Sequence, residues 1–260
     1  MALRELLKRV AEGVVSIEYA EQQLKLLALE EIAGVLKLDV GRELRKSIPE
    51  IVFGEYKSSD QLELAIRGLL ETRGRAIVSR LRGDQLEVVK KFEEGYIVAL
   101  SASRRLAIIK QRGYETLKIG GKVGIVTAGT ADIPIADEVK LIVEELGCNT
   151  ITIYDVGIAG LHRTVDAAKK LLEEDVDVVV AVAGMEGAMP SVLASTLDVP
   201  VIGLPTSTGY GIGGGGVAAL LSMLQSCSPG LLVVNIDNSV GAAVAAALIV
   251  SRVAKFRRDK

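Results

Sequence analysis

Thiols and a few isolated ionisable side chains are the residues of this chain best suited to chemistry. The 260 residues include only two cysteines, Cys148 and Cys227, and one histidine, His162. Cys227 lies between a predicted helix and the apolar run that follows it. An isolated cysteine is either a buried core residue or a nucleophile, and the burial reading is the commoner one. The pattern alone leaves both roles open.

The single histidine lies in a polar loop together with an arginine and an aspartate. Asp155 opens the loop after an apolar run, and His162 and Arg163 close it where a helical pattern begins. Histidine exchanges a proton near neutral pH, and arginine binds phosphate through two parallel hydrogen bonds. Their position favours a functional role over that of ordinary surface residues.

A second loop carries one carboxylate among small residues. Glu186 follows Gly184 and Met185. A carboxylate in this setting can act as a general base, a metal ligand or a hydrogen-bond acceptor for ribose. A solvated loop residue is the alternative interpretation.

Two further loops are rich in glycine and hydroxyl groups. The first precedes Pro134, a residue typical of a first helical turn, and the second opens onto another helical pattern. Backbone N–H groups at such helix starts bind phosphate or carboxylate. The second loop matches neither a phosphate-binding P-loop nor a dinucleotide fingerprint. The candidate binding residues of these loops are Thr127, Gly129, Thr130, Asp132, Ser207 and Gly209.

The elements that position these loops alternate regularly in the second half of the chain. Apolar runs without internal alternation, separated by helical patterns, indicate parallel strands buried on both faces. Because crossovers are right-handed, helices cover both sides of such a sheet. We therefore predict an α/β fold with a doubly wound, parallel five-stranded sheet of order 2-1-3-4-5. The predicted strands are residues 123–127, 151–155, 178–183, 201–204 and 232–236, and the helices are 135–146, 165–173, 189–197, 217–225 and 240–253.

This topology separates Cys227 from the other candidates. Ligands bind beyond the carboxyl ends of parallel strands, which is where the four polar loops meet. Asp237 and Asn238 end the fifth predicted strand on the same side. Cys227 precedes that strand and should lie at the opposite edge. The thiol is therefore either structural or part of a site completed by a neighbouring subunit.

The first half of the chain is more irregular and predicts a smaller α/β domain. Residues 1–120 carry helical patterns at 3–10, 20–28, 59–70 and 84–92, and extended patterns at 50–53, 75–81, 96–100 and 106–110. Gly120 and Gly121 mark the expected joint with a second domain, residues 121–260.

Composition narrows the function classes. A net charge of −2 gives no general attraction to nucleic acid or anionic membrane. Two distant cysteines form neither a disulfide framework nor a zinc motif. The N-terminus lacks the apolar core of a signal peptide, and residues 240–250 are too short to span a bilayer. We therefore expect a cytoplasmic protein whose two cysteines are reduced.

Taken together, the loops resemble the phosphoribosylaminoimidazole carboxylase superfamily. The run 160–164, Gly-Leu-His-Arg-Thr, resembles the superfamily's Ser-Ala-His-Arg-Thr loop. Runs 127–132, 154–163, 182–191 and 226–238 are more similar to its LarB branch, the pyridinium-3,5-biscarboxylic acid mononucleotide synthases of nickel-pincer nucleotide biosynthesis. The similarity extends to Asp39, Arg42, Arg45 and residues 49–55. The second histidine of the purine carboxylases has no counterpart in residues 185–189.

The resemblance implies a flavodoxin-like fold and a specific reaction. Members convert nicotinic acid adenine dinucleotide and CO2 or bicarbonate into a pyridinium-3,5-biscarboxylic acid mononucleotide and AMP. It implies that Cys227 is the nucleophile, that Glu186 removes a proton or binds magnesium, and that Mg²⁺ assists phosphoanhydride cleavage. It further implies that Thr130, Asp132, His162 and Arg163 hold phosphate and ribose, in a homo-oligomer, for example an octamer, whose active sites lie between subunits.

Two other functions fit the same residues. An aminoimidazole ribonucleotide carboxylase of purine synthesis would not need Cys227. A non-catalytic nucleotide sensor would bind the dinucleotide without releasing AMP.

Overall fold

The computed structural model describes residues 3–20, 30–32, 36–38 and 48–258. The chain forms two compact units, Met1–Leu100 with Leu106–Tyr114, and Ser101–Arg105 with Glu115–Lys260. The division thus falls at Tyr114, before the glycine pair expected to join two domains, and one short segment of the first half belongs to the second unit.

The first unit is a small α/β structure. Its four-stranded sheet has the order β3-β4-β6-β5, in which β3 and β4 are parallel and the other pairs antiparallel. A capping box between Ser58 and Gln61 starts the long helix α2, and Gly74, in the left-handed conformation, ends it. The elements are α1 Leu3–Ala11, β1 Glu30–Ile32, β2 Leu36–Leu38, β3 Ile51–Phe53, α2 Ser59–Arg73, β4 Arg75–Ser79, α3 Leu86–Lys90, β5 Tyr96–Leu100 and β6 Ala107–Gln111.

Part of the sequence prediction for this unit falls on residues that are not described. The helical pattern at 20–28 continues beyond Ala20 into them, and Asp39, Arg42 and Arg45 also lie there. The helix predicted at 84–92 is a 3-10 turn, Gly83–Gln85, followed by the short α3.

The second unit is a doubly wound α/β structure. Its five strands are ordered β11-β10-β9-β7-β8, and every neighbouring pair is parallel. Numbered along the unit, this is the order 2-1-3-4-5, which confirms the prediction. The elements are β7 Lys122–Thr127, α4 Ile133–Glu145, β8 Asn149–Ile153, α5 Leu161–Glu173, β9 Val178–Ala183, α6 Met189–Thr196, β10 Val201–Pro205, α7 Val217–Leu224, β11 Leu231–Val233 and α8 Ser239–Arg258.

Two strands end earlier than the sequence predicted, and both ends belong to the candidate site. The strand β8 stops at Ile153 because Asp155 takes a left-handed conformation, with φ of 59°. The strand β11 stops at Val233, although Asp237 N still donates to Pro205 O. Val234 N donates to Gly203 O, so in a regular parallel ladder residue 236 would donate to Pro205 O. Because Asp237 does so instead, the chain after β11 contains one extra residue, which ends the strand and changes its direction.

The core of the second unit is aliphatic and lies on both faces of the sheet. All six residues of the central strand β9 are buried. Small side chains along α8, including Ala242, Ala243, Ala246 and Ala247, are buried as the helix packs on β9 and β10. By length and composition α8 is the one helix among the described residues that passes as a membrane span. Its alanine face is buried against the sheet, but only 33% of the apolar window is buried, and one such helix is weak evidence for a membrane. With 20 residues the helix is longer than the segment 240–250, which was expected from the sequence to be too short to span a bilayer.

Candidate functional site

A pocket of about 420 Å³ opens at the carboxyl ends of the parallel strands. Four loops surround it, those that follow β7, β8, β9 and β10. This is the edge at which ligands bind in doubly wound folds. The lining residues are Ala128, Gly129, Ala131, Asp132, Gly157, Ile158, Ala159, Ala183, Gly184, Met185, Glu186, Gly187, Ala188, Met189, Thr208, Gly209 and Tyr210.

Asp132 joins two of these loops. Its Oδ1 accepts hydrogen bonds from the hydroxyls of Thr206, at 2.7 Å, and Thr208, at 2.8 Å. Its Oδ2 accepts from the backbone N–H of Gly129 at 3.0 Å. The carboxylate is buried, and charge-assisted bonds of this kind compensate for its removal from water. Asp132 therefore acts first as the connection between the loops after β7 and β10.

Glycine is required where the loop after β9 meets the loop after β10. A Cβ atom at Gly184 would lie 2.3 Å from both the carbonyl oxygen and the hydroxyl of Thr208. The neighbouring Met185 N donates to the same carbonyl at 3.1 Å. Gly157 has a similar role, since its Cβ would lie 2.7 Å from the carbonyl oxygen of Ala128. The absence of side chains thus brings the four loops close enough to enclose the pocket.

Three non-glycine residues at this edge adopt the left-handed conformation. Asp155, Met185 and Asp237 follow β8, β9 and β11 with φ of 59°, 49° and 53°. Such conformations cost on the order of 1 kcal/mol each and cluster at functional sites. Hydrogen bonds stabilise all three. Thr127 Oγ1 accepts from Asp155 N, and Asp237 Oδ1 accepts from Ser207 N. The bond from Met185 N to the carbonyl of Thr208 holds the third.

The two charged side chains of the lining are both acidic. Asp132 is engaged as described, whereas Glu186 is exposed and accepts no hydrogen bond from the residues that the structure describes. Lysine, arginine and histidine do not occur among the described residues that line the pocket. Asp132 precedes α4 and Met189 begins α6, so the positive ends of two helices also face the pocket.

Several predicted site residues lie around the pocket, outside its lining. Arg163 Nη1 donates to the carbonyl and the carboxylate of Asp155, at 2.7 and 3.1 Å. Thr127 is buried and accepts a hydrogen bond from Asp155 N. His162 is exposed at the start of α5. The remaining members of this set are exposed Thr130, exposed Ser207, Asp237, and Asn238, whose Oδ1 accepts from Gly241 N. The predicted residues within the lining are Gly129, Asp132, Gly184, Met185, Glu186 and Gly209.

Sequence reasoning missed Thr206, Thr208 and Tyr210. Thr206 and Thr208 flank Ser207 at the bend that follows β10. Both hydroxyls face Asp132, and the two also contact each other. The two threonines were visible in the sequence, but their contact with Asp132, which is 74 and 76 positions away in the chain, was not.

The two thiols differ in their environments. Cys148 is buried, and burial together with the charge of Asp177 raises the pKa of its thiol to about 11. Cys227 is exposed between α7 and β11. Cys227 precedes β11. Gly230, the residue directly before β11, accepts a hydrogen bond at its carbonyl from Val201 N, at the start of β10. Cys227 therefore lies at the amino edge of the sheet, opposite the pocket of its own chain.

A protein-held metal centre finds little support in the described residues. They contain no group of three or more His, Cys, Asp or Glu side chains arranged to hold an ion.

Comparison with known proteins gives two family matches. Residues 122–259 match the AIR carboxylase family, and residues 30–109 match the LarB/PurE-like N-terminal domain. An uncharacterized protein of Methanocaldococcus jannaschii is 48% identical over 95% of this chain and 96% of its own length.

Relatives named as enzymes match about half of the chain. The N5-carboxyaminoimidazole ribonucleotide mutase of Thermotoga maritima is 33% identical over 49% of this chain and 74% of its own length. That of Pyrococcus horikoshii is 35% identical over 48% of this chain and 69% of its own length. These relatives and the pocket support a carboxylase- or mutase-type function. The chain belongs to the AIR carboxylase family and carries the N-terminal domain of its LarB members.

Proposed function

We propose that this protein carboxylates the pyridinium ring of nicotinic acid adenine dinucleotide and cleaves its phosphoanhydride. The substrates are the dinucleotide, CO2 and water, and the products are pyridinium-3,5-biscarboxylic acid mononucleotide, AMP and protons. The reaction is redox-neutral. The match of residues 30–109 to the LarB/PurE-like N-terminal domain supports a carboxylase of this family.

The composition of the pocket lining is the observation that carries the proposal. A lining with two carboxylates and without basic side chains among its described residues suits a cationic ring better than a phosphate group. The nicotinate ring also bears a carboxylate, which the N-terminal ends of α4 and α6 would favour. A zwitterionic pyridinium therefore matches both features of the pocket.

Covalent catalysis solves the electronic problem of this reaction. A pyridinium ring is electron-poor, so C5 does not attack CO2. Addition of a thiolate at C4 or C6 gives a neutral dihydropyridine, whose enamine is nucleophilic at C5. After the C5–carboxylate bond forms, loss of the C5 proton and departure of the thiolate restore the aromatic ring. One difficult step is thereby divided into easier ones.

Glu186 is the residue that we assign to removal of the C5 proton. Its carboxylate lies in the lining, is exposed, and has no hydrogen bond with other described residues, so it is free to accept a proton. Asp132 is less suited to this role because its two oxygens already accept three hydrogen bonds.

The nucleophile is assigned to Cys227 of a neighbouring copy of the chain. The thiol is exposed at the amino edge of the sheet, whereas the pocket of the same chain lies at the carboxyl edge. A homo-oligomer, an octamer by family resemblance, would bring the thiol of one copy to the pocket of the next. A monomeric active enzyme would contradict this assignment.

The phosphate groups of the substrate are assigned to the rim of the pocket. His162 and Arg163 lie there at the start of α5, where the N-terminal end of the helix also favours anions. Magnesium would reach the site on the pyrophosphate, held by phosphate oxygens and water, since the described residues offer no cluster of ligands. We therefore assign the ion no protein cage and no catalytic step.

The direct test is incubation with nicotinic acid adenine dinucleotide, ¹³C-bicarbonate and magnesium, followed by mass spectrometry. We expect a mononucleotide with one added ¹³C-carboxylate, together with AMP, from wild type but not from Cys227→Ala. Binding of the dinucleotide without any product would instead support a non-catalytic sensor.

Mixing inactive variants tests the shared site. Cys227→Ala and Glu186→Gln each remove one catalytic group, so each homo-oligomer should be inactive. Oligomers assembled from both chains should regain part of the wild-type activity, because some sites receive an intact thiol and an intact carboxylate from different copies. Absence of recovery in verified mixed oligomers would show that both groups act within one chain.

The purine reaction is the second candidate, and the similarity to the two mutases favours it. It predicts conversion of an aminoimidazole ribonucleotide by both wild type and Cys227→Ala. The same mass-spectrometric assay with that substrate distinguishes the two reactions.

A further inference from the structure

Tyr210 is the one aromatic side chain among the described residues that line the pocket. Aromatic residues are scarce in this chain, which has six tyrosines, three phenylalanines and no tryptophan. Nevertheless, Tyr210 is 83% exposed at the open side of the pocket. What distinguishes Tyr210 from other exposed apolar residues is its place in the pocket lining, where the ring is available to a ligand.

The backbone around Tyr210 holds the ring beside a second polarisable group. Gly209 has φ of 147°, and a Cβ there would lie 3.4 Å from Met185 N and 3.7 Å from Met185 Sδ. The loop of Tyr210 thus packs directly on Met185, which is itself 46% exposed in the lining. A thioether and a phenol ring, both partly in solvent, form adjoining walls of the pocket.

We propose that Tyr210 is a specificity-determining residue that binds the face of a cationic pyridinium ring and selects the oxidised over the dihydro form. The proposal rests on the function proposed above and names the part of the substrate that this pocket takes. The face of an aromatic ring attracts a cation within about 6 Å. The described lining offers no lysine or arginine to occupy that face, and Glu186 lies on the adjacent loop to favour positive charge.

The proposal predicts which kinetic constant Tyr210 affects. Addition of the thiolate neutralises the ring, so the attraction is strongest in the substrate complex and weaker in the adduct. Loss of an interaction confined to the ground state raises KM and leaves kcat unchanged or higher. A tyrosine that merely stabilised the fold would lower the amount of active enzyme and leave KM unchanged.

The test is calorimetric binding of nicotinic acid adenine dinucleotide and of its chemically reduced dihydro form. Both titrations use the Cys227→Ala background, which prevents adduct formation. We expect the unmodified tyrosine to favour the oxidised form by about fivefold, the equivalent of about 1 kcal/mol. Tyr210→Leu should lower the preference by about this factor, since Glu186 still favours the cation, and Tyr210→Phe should retain it because the ring face is unchanged.

Ile212→Ala is the matched control, since Ile212 is fully exposed two residues further along the same segment and lies outside the lining. The proposal is overturned if Tyr210→Leu keeps the preference, or if Tyr210→Phe loses as much as Tyr210→Leu. Binding requires no turnover, so a protein that prefers the oxidised ring but forms no carboxylated product would retain the role of Tyr210 and refute the proposed reaction.

Discussion

The hydroxyl of Thr206 donates a 2.7 Å hydrogen bond to Oδ1 of Asp132, although the two residues are 74 positions apart in the chain. Both groups are buried. The bond fixes the loop after β10 against the loop after β7, and these loops form two sides of the pocket. The shape of the site therefore depends on a contact that performs no chemistry itself.

Removal of that hydroxyl should destabilise the fold. Thr206→Val keeps the side-chain shape but takes one hydrogen bond from a buried carboxylate, which typically costs about 2 kcal/mol. Urea unfolding should show this decrease in the free energy of unfolding. Thr196→Val is the control, because its exposed hydroxyl bonds only within its own helix, and a change of less than about 0.5 kcal/mol is expected there. Equal effects in the two variants would contradict the role given to Thr206.

A methyl group at Gly184 should disturb the pocket. In Gly184→Ala the Cβ would meet the backbone and side chain of Thr208 at 2.3 Å, so the loop after β10 must shift. We expect at least a tenfold loss of affinity for the dinucleotide. Gly95→Ala is the control, since its Cβ would meet no atom within 4 Å and Gly95 lies outside the pocket lining. Calorimetric titration of both variants gives the comparison, and a normal affinity in Gly184→Ala would show that the loop adapts freely.

Glu186→Gln should separate activity from stability. The side chain is exposed and makes no hydrogen bond with other described residues, so the free energy of unfolding should change by less than about 0.5 kcal/mol. Carboxylated product should fall by a factor of about 100 or more if Glu186 removes the C5 proton. Glu173→Gln, an exposed glutamate at the end of α5, should alter neither quantity. Full activity in Glu186→Gln would assign proton removal to another group.

The two cysteines should react with alkylating agents at different rates. The pKa of Cys148 is raised to about 11 by burial, so at pH 8 its thiol is protonated and shielded, whereas Cys227 is exposed. Iodoacetamide at pH 8 should label Cys227 alone, as peptide mass spectrometry can establish. Labelling of Cys148 at a similar rate would mean that the second unit opens readily.

The raised pKa of Cys148 also sets a direction for stability at alkaline pH. The folded state holds this proton more tightly than the unfolded chain, so the contribution is complete below pH 9 and is lost as pH rises from 9.0 to about 11. Cys148→Ala should flatten that part of the stability profile relative to wild type, measured by denaturant unfolding. Ser195→Ala, which removes no ionisable group, serves as the control and should leave the slope unchanged.

The sequence by itself determined the architecture of the second unit. Apolar runs separated by helical patterns carry the information for a parallel sheet, because each strand is buried on both faces. The strand order and the edge that carries the pocket follow from the same rule, and Gly184, Met185 and Glu186 were placed at that edge correctly. The opposite position of Cys227 also followed from chain direction alone.

Only the tertiary structure decided which groups meet. Asp132 was expected to bind ligand, but its oxygens are engaged by Thr206, Thr208 and Gly129. Arg163 is paired with Asp155, and Tyr210, which no pattern singled out, lines the pocket. Hydrogen bonds and close approaches between loops depend on distances across many residues of sequence, whereas periodicity reports only on neighbours within one element. The pattern therefore fixes the framework, and the packing of the loops fixes the chemistry available in the site.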